Sequence, residues 1–275
     1  MKFAVAFVFL LMTFQSYAEV FRSKIHSIDF ATKENSPHLI LMENGRVVFV
    51  EYHQKDLLKT FKEGLKDDEI FEIEVDEENN FKRAKAIEPS SSNHDPGERI
   101  YSKEMSYDPT VLSSSSGATS IFRRMRRDYQ NQSQCYNRAH VWAWEEYKNT
   151  GLRSMKHFLF FTRRYIRNYR YKWWFHVSPS VLVEGSGVRI LDRRYTSGHR
   201  SVSSWTKNFI YSGRSCPVVH KYYDYRNNQE TEDCYLIPVS MYFWQPRDIE
   251  RRDRTGYEKT SFINSEIDYA YWEAF

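Results

Sequence analysis

Hydrophobic and polar positions fall in short, strand-length runs over residues 23–30, 39–42 and 46–52. A two-residue period puts successive side chains on opposite faces, so these runs predict strands. Glu43-Asn44-Gly45, between the last two, carries the Asn-Gly pair of a tight hairpin turn. The period then lengthens over residues 54–64, where Leu57, Leu58, Phe61 and Leu65 fall at helical spacing. Residues 70–75 alternate, 76–80 supply a turn and 81–87 return. The pattern predicts a small, mostly β domain over residues 19–88.

It lapses over residues 89–117, a Ser-rich linker containing Pro89-Ser90-Ser91-Ser92 and Asp95-Pro96-Gly97, with too few apolar residues to fold alone. Such a stretch is where a protease would cut. Beyond it the order is helices first, then neighbouring strands. A basic helix is expected over residues 118–130 and a second from Cys135 to a cap at Asn149-Thr150-Gly151. Strands follow at 155–162, 173–183 and 188–192, a helix at 201–211, a strand at 235–243 and helices at 245–252 and 261–274. Residues 118–275 therefore read as one α+β domain.

Three further features change this picture. Residues 1–18 read as a signal peptide: a basic Met1-Lys2, an apolar run and a small-x-small Ser16-Tyr17-Ala18. The apolar run, at about 12 residues, falls short of the roughly 20 that span a bilayer, so the mature protein is expected to be secreted or periplasmic, without a membrane partner. Charge is uneven. Residues 19–88 hold 11 Lys and Arg against 16 Asp and Glu, a net of −5, whereas residues 89–275 carry +8. An acidic segment joined to a basic one suggests intramolecular docking, or a basic domain that seeks acidic substrates. Finally, three cysteines are an odd number for an oxidising compartment, which points to one disulfide and one free thiol. Cys216 and Cys234 flank the turn-rich Asn227-Asn228-Gln229-Glu230 and are able to close a loop there; a bridge from Cys135 stays open as the alternative.

Cys135 is the residue with the most chemistry around it. Asn131, Gln132 and Ser133 suit a helix cap, which puts the sulfur at the first turn, where unpaired amides and the positive end of the dipole favour a thiolate. Nucleophilic catalysis by sulfur needs a base and a group to orient it. His176 in Trp173-Trp174-Phe175-His176-Val177 and Asp192 closing Val188-Arg189-Ile190-Leu191-Asp192 are the candidates. Glu184-Gly185-Ser186-Gly187 makes their strands antiparallel neighbours. If a three-residue loop closes Val183 onto Gly187, Asp192 falls opposite Ser178 and on the face of His176. A loop of another length by one residue puts them on opposite faces.

Cys135-Tyr136-Asn137-Arg138-Ala139-His140, the aromatic strand ending in His176-Val177, and Ile190-Leu191-Asp192 together resemble the protein-glutaminase family over about residues 118–194. That resemblance implies a papain- and transglutaminase-like fold, with the cysteine helix packed on an antiparallel sheet. It implies a secreted hydrolase that deamidates glutamine in proteins or peptides, with Cys135, His176 and Asp192 as catalytic triad, no cofactor and no metal. The same triad serves cysteine peptidases and transglutaminases, and a non-catalytic basic binding protein is the alternative of another class. The acidic residues 19–88 are then a candidate propeptide. Residues 163–173 and the C-terminal third depart from the family pattern.

Smaller assignments complete the reading. His140, five positions after Cys135, is turned away by about 140° and is expected to be structural, and Arg138 to pair within the fold. The run Arg163 to Lys172 has the cations and rings of a nucleic-acid strip. An exposed loop rimming the active site is the preferred reading, with no nucleic acid as partner. His199 and His220 lack metal-ligand spacing.

Overall fold

The computed structural model describes residues 18–87, 101–102 and 107–275. Residues 1–17 of the expected signal peptide, residue 88, and residues 89–100 and 103–106 of the expected linker lie outside the described residues.

The N-terminal layer runs β1 (Glu19–Asp29), β2 (His38–Met42), β3 (Val47–Val50), α1 (Lys55–Lys66), β4 (Ile70–Val75) and β5 (Phe81–Ile87). Its strands form an antiparallel sheet in the order β3-β2-β1-β4-β5. Every residue of β2 and β3 is buried, and the two-residue period explains how. Ile40, Met42, Val48 and Val50 face Leu58 and Phe61 of α1. Leu39, Leu41, Val47 and Phe49 point the other way, into the core of the rest of the chain. The sheet is therefore sandwiched. The β2–β3 turn reaches furthest: Gly45, at φ +92°, accepts a hydrogen bond from Trp174 N at 2.9 Å and lies against Phe175. A side chain there would be strained and would crowd that ring.

The remaining elements are β6 (Tyr101–Ser102), β7 (Val111–Leu112), α2 (Ser115–Arg124), α3 (Cys135–Thr150), β8 (Met155–Phe161), α4 (Arg163–Tyr169), β9 (Phe175–Val183) and β10 (Gly187–Ile190). After them come β11 (Arg200–Ser201), α5 (Val202–Thr206), α6 (Tyr222–Asn227), β12 (Cys234–Ser240), α7 (Pro246–Thr255), β13 (Glu258–Lys259) and α8 (Asn264–Ala274). The second sheet is ordered β11-β10-β9-β8-β12, antiparallel throughout, with β7 added parallel to β9. The fold is α+β with antiparallel sheets, as its pattern predicts. Cys216 and Cys234 form the disulfide, leaving Cys135 as the free thiol.

Several local expectations are corrected. Helix α2 begins at Ser115, inside the stretch expected to be linker, because Leu112, Ala118, Ile121 and Phe122 pack with Val181 and Val183 of β9. The strip expected as an exposed loop is helix α4 and the turn after it. Thr162 caps that helix by accepting from Tyr165 N, and Tyr165 and Ile166 anchor it in the core. The expected helix at 201–211 shortens to α5, and α6 forms just before the expected turn at 227–230, where no element was expected.

Helix α3 lies across β9 and against α8. Beneath it is a buried polar cluster. Lys156 Nζ of β8 lies 2.6 Å from both His140 Nδ1 and the Phe243 carbonyl. Lys259 Nζ contacts Glu266 Oε2 at 2.5 Å and Asp248 Oδ2 at 3.3 Å. Burial and the charge of Lys259 push Lys156 well below the usual lysine range. His140 faces this cluster, its Nε2 3.8 Å from Glu266. Replacing Lys259 with Met leaves Asp248 and Glu266 buried with one cation fewer, and should cost about 3–5 kcal/mol in urea unfolding of the full chain. Arg226→Met, in the surface pair with Glu250, should stay within about 1 kcal/mol. Equal costs for the two would show that the buried cluster does not hold α3.

Candidate active site

Cys135 is the first residue of α3. Its N-cap, Gln134, is extended and makes no side-chain capping bond, so the cap expected from residues 131–133 is not formed. Arg138 does something else with that segment. Residues three apart share a helix face, and Arg138 reaches back to donate to Ser133 Oγ at 2.9 Å and to the Ser133 carbonyl. The expected pairing of Arg138 is therefore made, and it holds the segment that leads into Cys135.

His176 sits in β9 between Phe175 and Val177, buried. The β9–β10 register pairs Gly187 with Val183 and Ile190 with Ser180, the three-residue loop on which the shared face depends. The ladder ends at Ile190, and Leu191 N donates to the Pro179 carbonyl at 2.8 Å. Asp192 is carried past the strand end on the His176 side, and His176 Nε2 lies 2.6 Å from Asp192 Oδ2. Cys135 lines the same cleft as this imidazole, and its sulfur lies close enough to help raise the ring's pKa. With Nε2 committed to Asp192, Nδ1 is the nitrogen left to exchange a proton. The structure thus brings the three expected residues together.

Sequence reasoning missed what surrounds them. Trp205 Nε1 of α5 donates to Asp192 Oδ2 at 2.8 Å, so one carboxylate oxygen serves both the imidazole and the indole. Phe209 and Tyr195 pack on the imidazole, with ring centroids 4.5 and 5.1 Å away. Only the i+3 spacing of Arg138 was a readable signal; Trp205 and the rings arrive through tertiary packing.

Burial alone would depress the imidazole. The charge and hydrogen bond of Asp192, with a smaller contribution from Cys135, outweigh it and raise His176 from 6.5 to about 9. Burial likewise opposes ionisation of Asp192, but His176, Trp205 and Arg138 hold its carboxyl below the usual range. A raised histidine favours the folded state fully below about pH 6.5 and ceases to do so as pH rises through about 9. Chemistry that needs the imidazolium should fade over the same upper limb. Asp192→Asn keeps an oxygen for both donors but removes the charge, so the alkaline limb of kcat/KM should move down by about 1 pH unit or more. A limb that stays near 9 in that variant would show that Asp192 does not set it.

The thiol and imidazole open into a cleft of about 500 Å³. Arg138, Phe175, Tyr195 and Tyr211 line it, together with Glu19 and Arg46 of the N-terminal layer. Arg46 Nη1 donates to Glu19 Oε2 at 2.7 Å, and its guanidinium lies 5.3 Å from the Trp173 ring. Among the described residues no group of three His, Cys, Asp or Glu side chains is placed to hold a metal, and no helix is long and apolar enough to cross a membrane.

A family model described as Glutaminase matches residues 111–209, which include Cys135, His176, Asp192 and Trp205. No curated protein matches the chain. Among solved structures, a mutant of pro-protein-glutaminase is similar at TM-score 0.51 and 14% identity, over 83% of this chain and 85% of that one. Pro-protein-glutaminase itself gives 0.49 and 14%, over 89% and 88%. Protein-glutaminase from Chryseobacterium proteolyticum gives 0.34 and 15%, over 49% and 75%. Residues 111–209 thus match a Glutaminase family model, and the α+β fold is similar to that of the pro-enzyme mutant.

Proposed function

With the Glutaminase family match of residues 111–209 as premise, we propose that this protein is an exported protein glutaminase that hydrolyses glutamine side chains to glutamate and ammonia. The observation that carries the reading is His176 hydrogen-bonded to Asp192 with Cys135 beside it at the wall of an open cleft. The Cys135 helix packed on an antiparallel sheet is consistent with a papain- and transglutaminase-like catalytic domain.

In this mechanism the Cys135 thiolate attacks the γ-carboxamide carbon, and the carbonyl oxygen takes up negative charge. The amides of the first turn of α3, which Gln134 does not cap, are fixed donors for that oxygen. The His176 imidazolium gives its Nδ1 proton to the amide nitrogen, ammonia leaves and a thioester remains. Neutral His176 then takes a proton from water, hydroxide attacks the thioester, and glutamate departs as the thiolate and imidazolium are restored. Asp192 keeps the ring oriented through both halves. The N-terminal layer acts as a propeptide. Supporting this are Glu19 and Arg46 in the cleft wall, and β2 and β3 buried against the core that carries His176.

The test is ammonia release from a glutamine-containing protein, followed alongside cross-linking and backbone cleavage. Ammonia alone supports a glutaminase. Cross-links would make the acceptor an amine and the enzyme a transglutaminase, and new chain ends would make it a peptidase.

A further inference from the structure

The basic strip of residues 163–172 is engaged by carboxylates and polar groups of the N-terminal layer. Asp29, at the end of β1, accepts from Arg163 at 2.6 Å and also from Arg167, one helical turn along α4. Arg170 donates to Asn80 Oδ1 and Lys172 to the Glu77 carbonyl, both at the β4–β5 turn. Arg167 has one further carboxylate within 4 Å, the mostly exposed Glu230 at 3.8 Å. Arg170 and Lys172 also line the cleft with Cys135 and His176, so the cations form a track from α4 to the thiol.

We propose that this track is a docking site for acidic segments of protein substrates. When the N-terminal layer leaves, Arg163, Arg167, Arg170 and Lys172 take substrate carboxylates and lead a neighbouring glutamine to Cys135. The proposal rests on the glutaminase reading. Three observations carry it. The partner that bridges Arg163 and Arg167 is a carboxylate, held by two guanidiniums at i and i+4. The covering layer is net acidic and the rest of the chain net basic. The tyrosines of the strip do not form a stacking platform for bases: Tyr165 is buried and Tyr171 packs on Phe161 at 4.5 Å, which leaves Tyr169 as the exposed ring.

The experiment uses the full chain, nicked by protease within residues 88–106 and diluted until size-exclusion chromatography shows the N-terminal layer released, and two glutamine peptides that differ only in a flanking cluster of aspartates or of serines. At low salt the acidic peptide should have a KM lower by about tenfold. The advantage should vanish near 0.5 M salt and fall close to unity in the doubly substituted R163Q/R167Q chain. Equal KM values for the two peptides in the unsubstituted chain would overturn the proposal. Should neither peptide release ammonia, the glutaminase reading fails, and fluorescence anisotropy of the labelled acidic peptide on the same nicked chain decides the docking site separately. Salt-sensitive binding lost in R163Q/R167Q upholds it, and no binding refutes it. A single-stranded RNA oligonucleotide that binds more tightly than the acidic peptide would refute it too, and make the strip a nucleic-acid site.

Discussion

Replacing Cys135 with Ala should lower ammonia release by about ten-thousandfold or more, while the thermal midpoint moves by only a few degrees. The sulfur is the only protein group in the proposed mechanism that bonds to carbon, so no neighbour can replace it. Structurally it contributes little. The alanine keeps the helical backbone of α3, and His176 keeps its 2.6 Å contact with Asp192. His176→Ala should be nearly as inactive, because loss of either member of a nucleophile–base pair removes the same step. The two substitutions together should cost little more than one. The check is single-turnover and steady-state ammonia release at pH 7–8, with iodoacetamide uptake counted on the unsubstituted chain. An alanine variant that retained a tenth of the activity would remove Cys135 from the chemistry.

Much of this site was legible because it depends on local rules. A two-residue period puts Asp192 on the face of His176 if the turn between their strands has three residues, a condition the sequence left open and the β9–β10 register meets. What escaped depends on residues far apart in the chain. Trp205 reaches Asp192 from a short helix that no pattern ties to it. Helix α4 was hidden because its arginines read as solvent-facing, whereas Arg163 and Arg167 turn onto Asp29 of another layer. A signal for that layer's position was present and went unread. Residues 39–42 are apolar without interruption, and a strand apolar on both faces is covered on both faces. One cover is α1, and the other is the core that holds Phe175.

Cutting the chain within residues 88–106 should raise glutaminase activity by about a hundredfold or more, and the rise should grow on dilution. While the chain is intact, the layer faces the cleft at the millimolar effective concentration typical of a short tether. One cut turns the same contact into an encounter between two molecules, so nanomolar protein should lose its cover where micromolar protein keeps it. The contact has an apolar part, in Leu39, Leu41, Val47 and Phe49, and an ionic part, in Asp29 with Arg163 and Glu43 with Arg247. Salt weakens only the second. Asp29→Asn should therefore shift the dilution curve toward higher protein concentration, and make it less sensitive to salt. The measurement is specific activity against total protein from about 1 nM to 10 μM, before and after the cut, with the layer's release followed by size-exclusion chromatography. Full activity in the uncut chain, or a cut chain that stays inactive after its layer has separated, would each rule out the layer as an inhibitory cover.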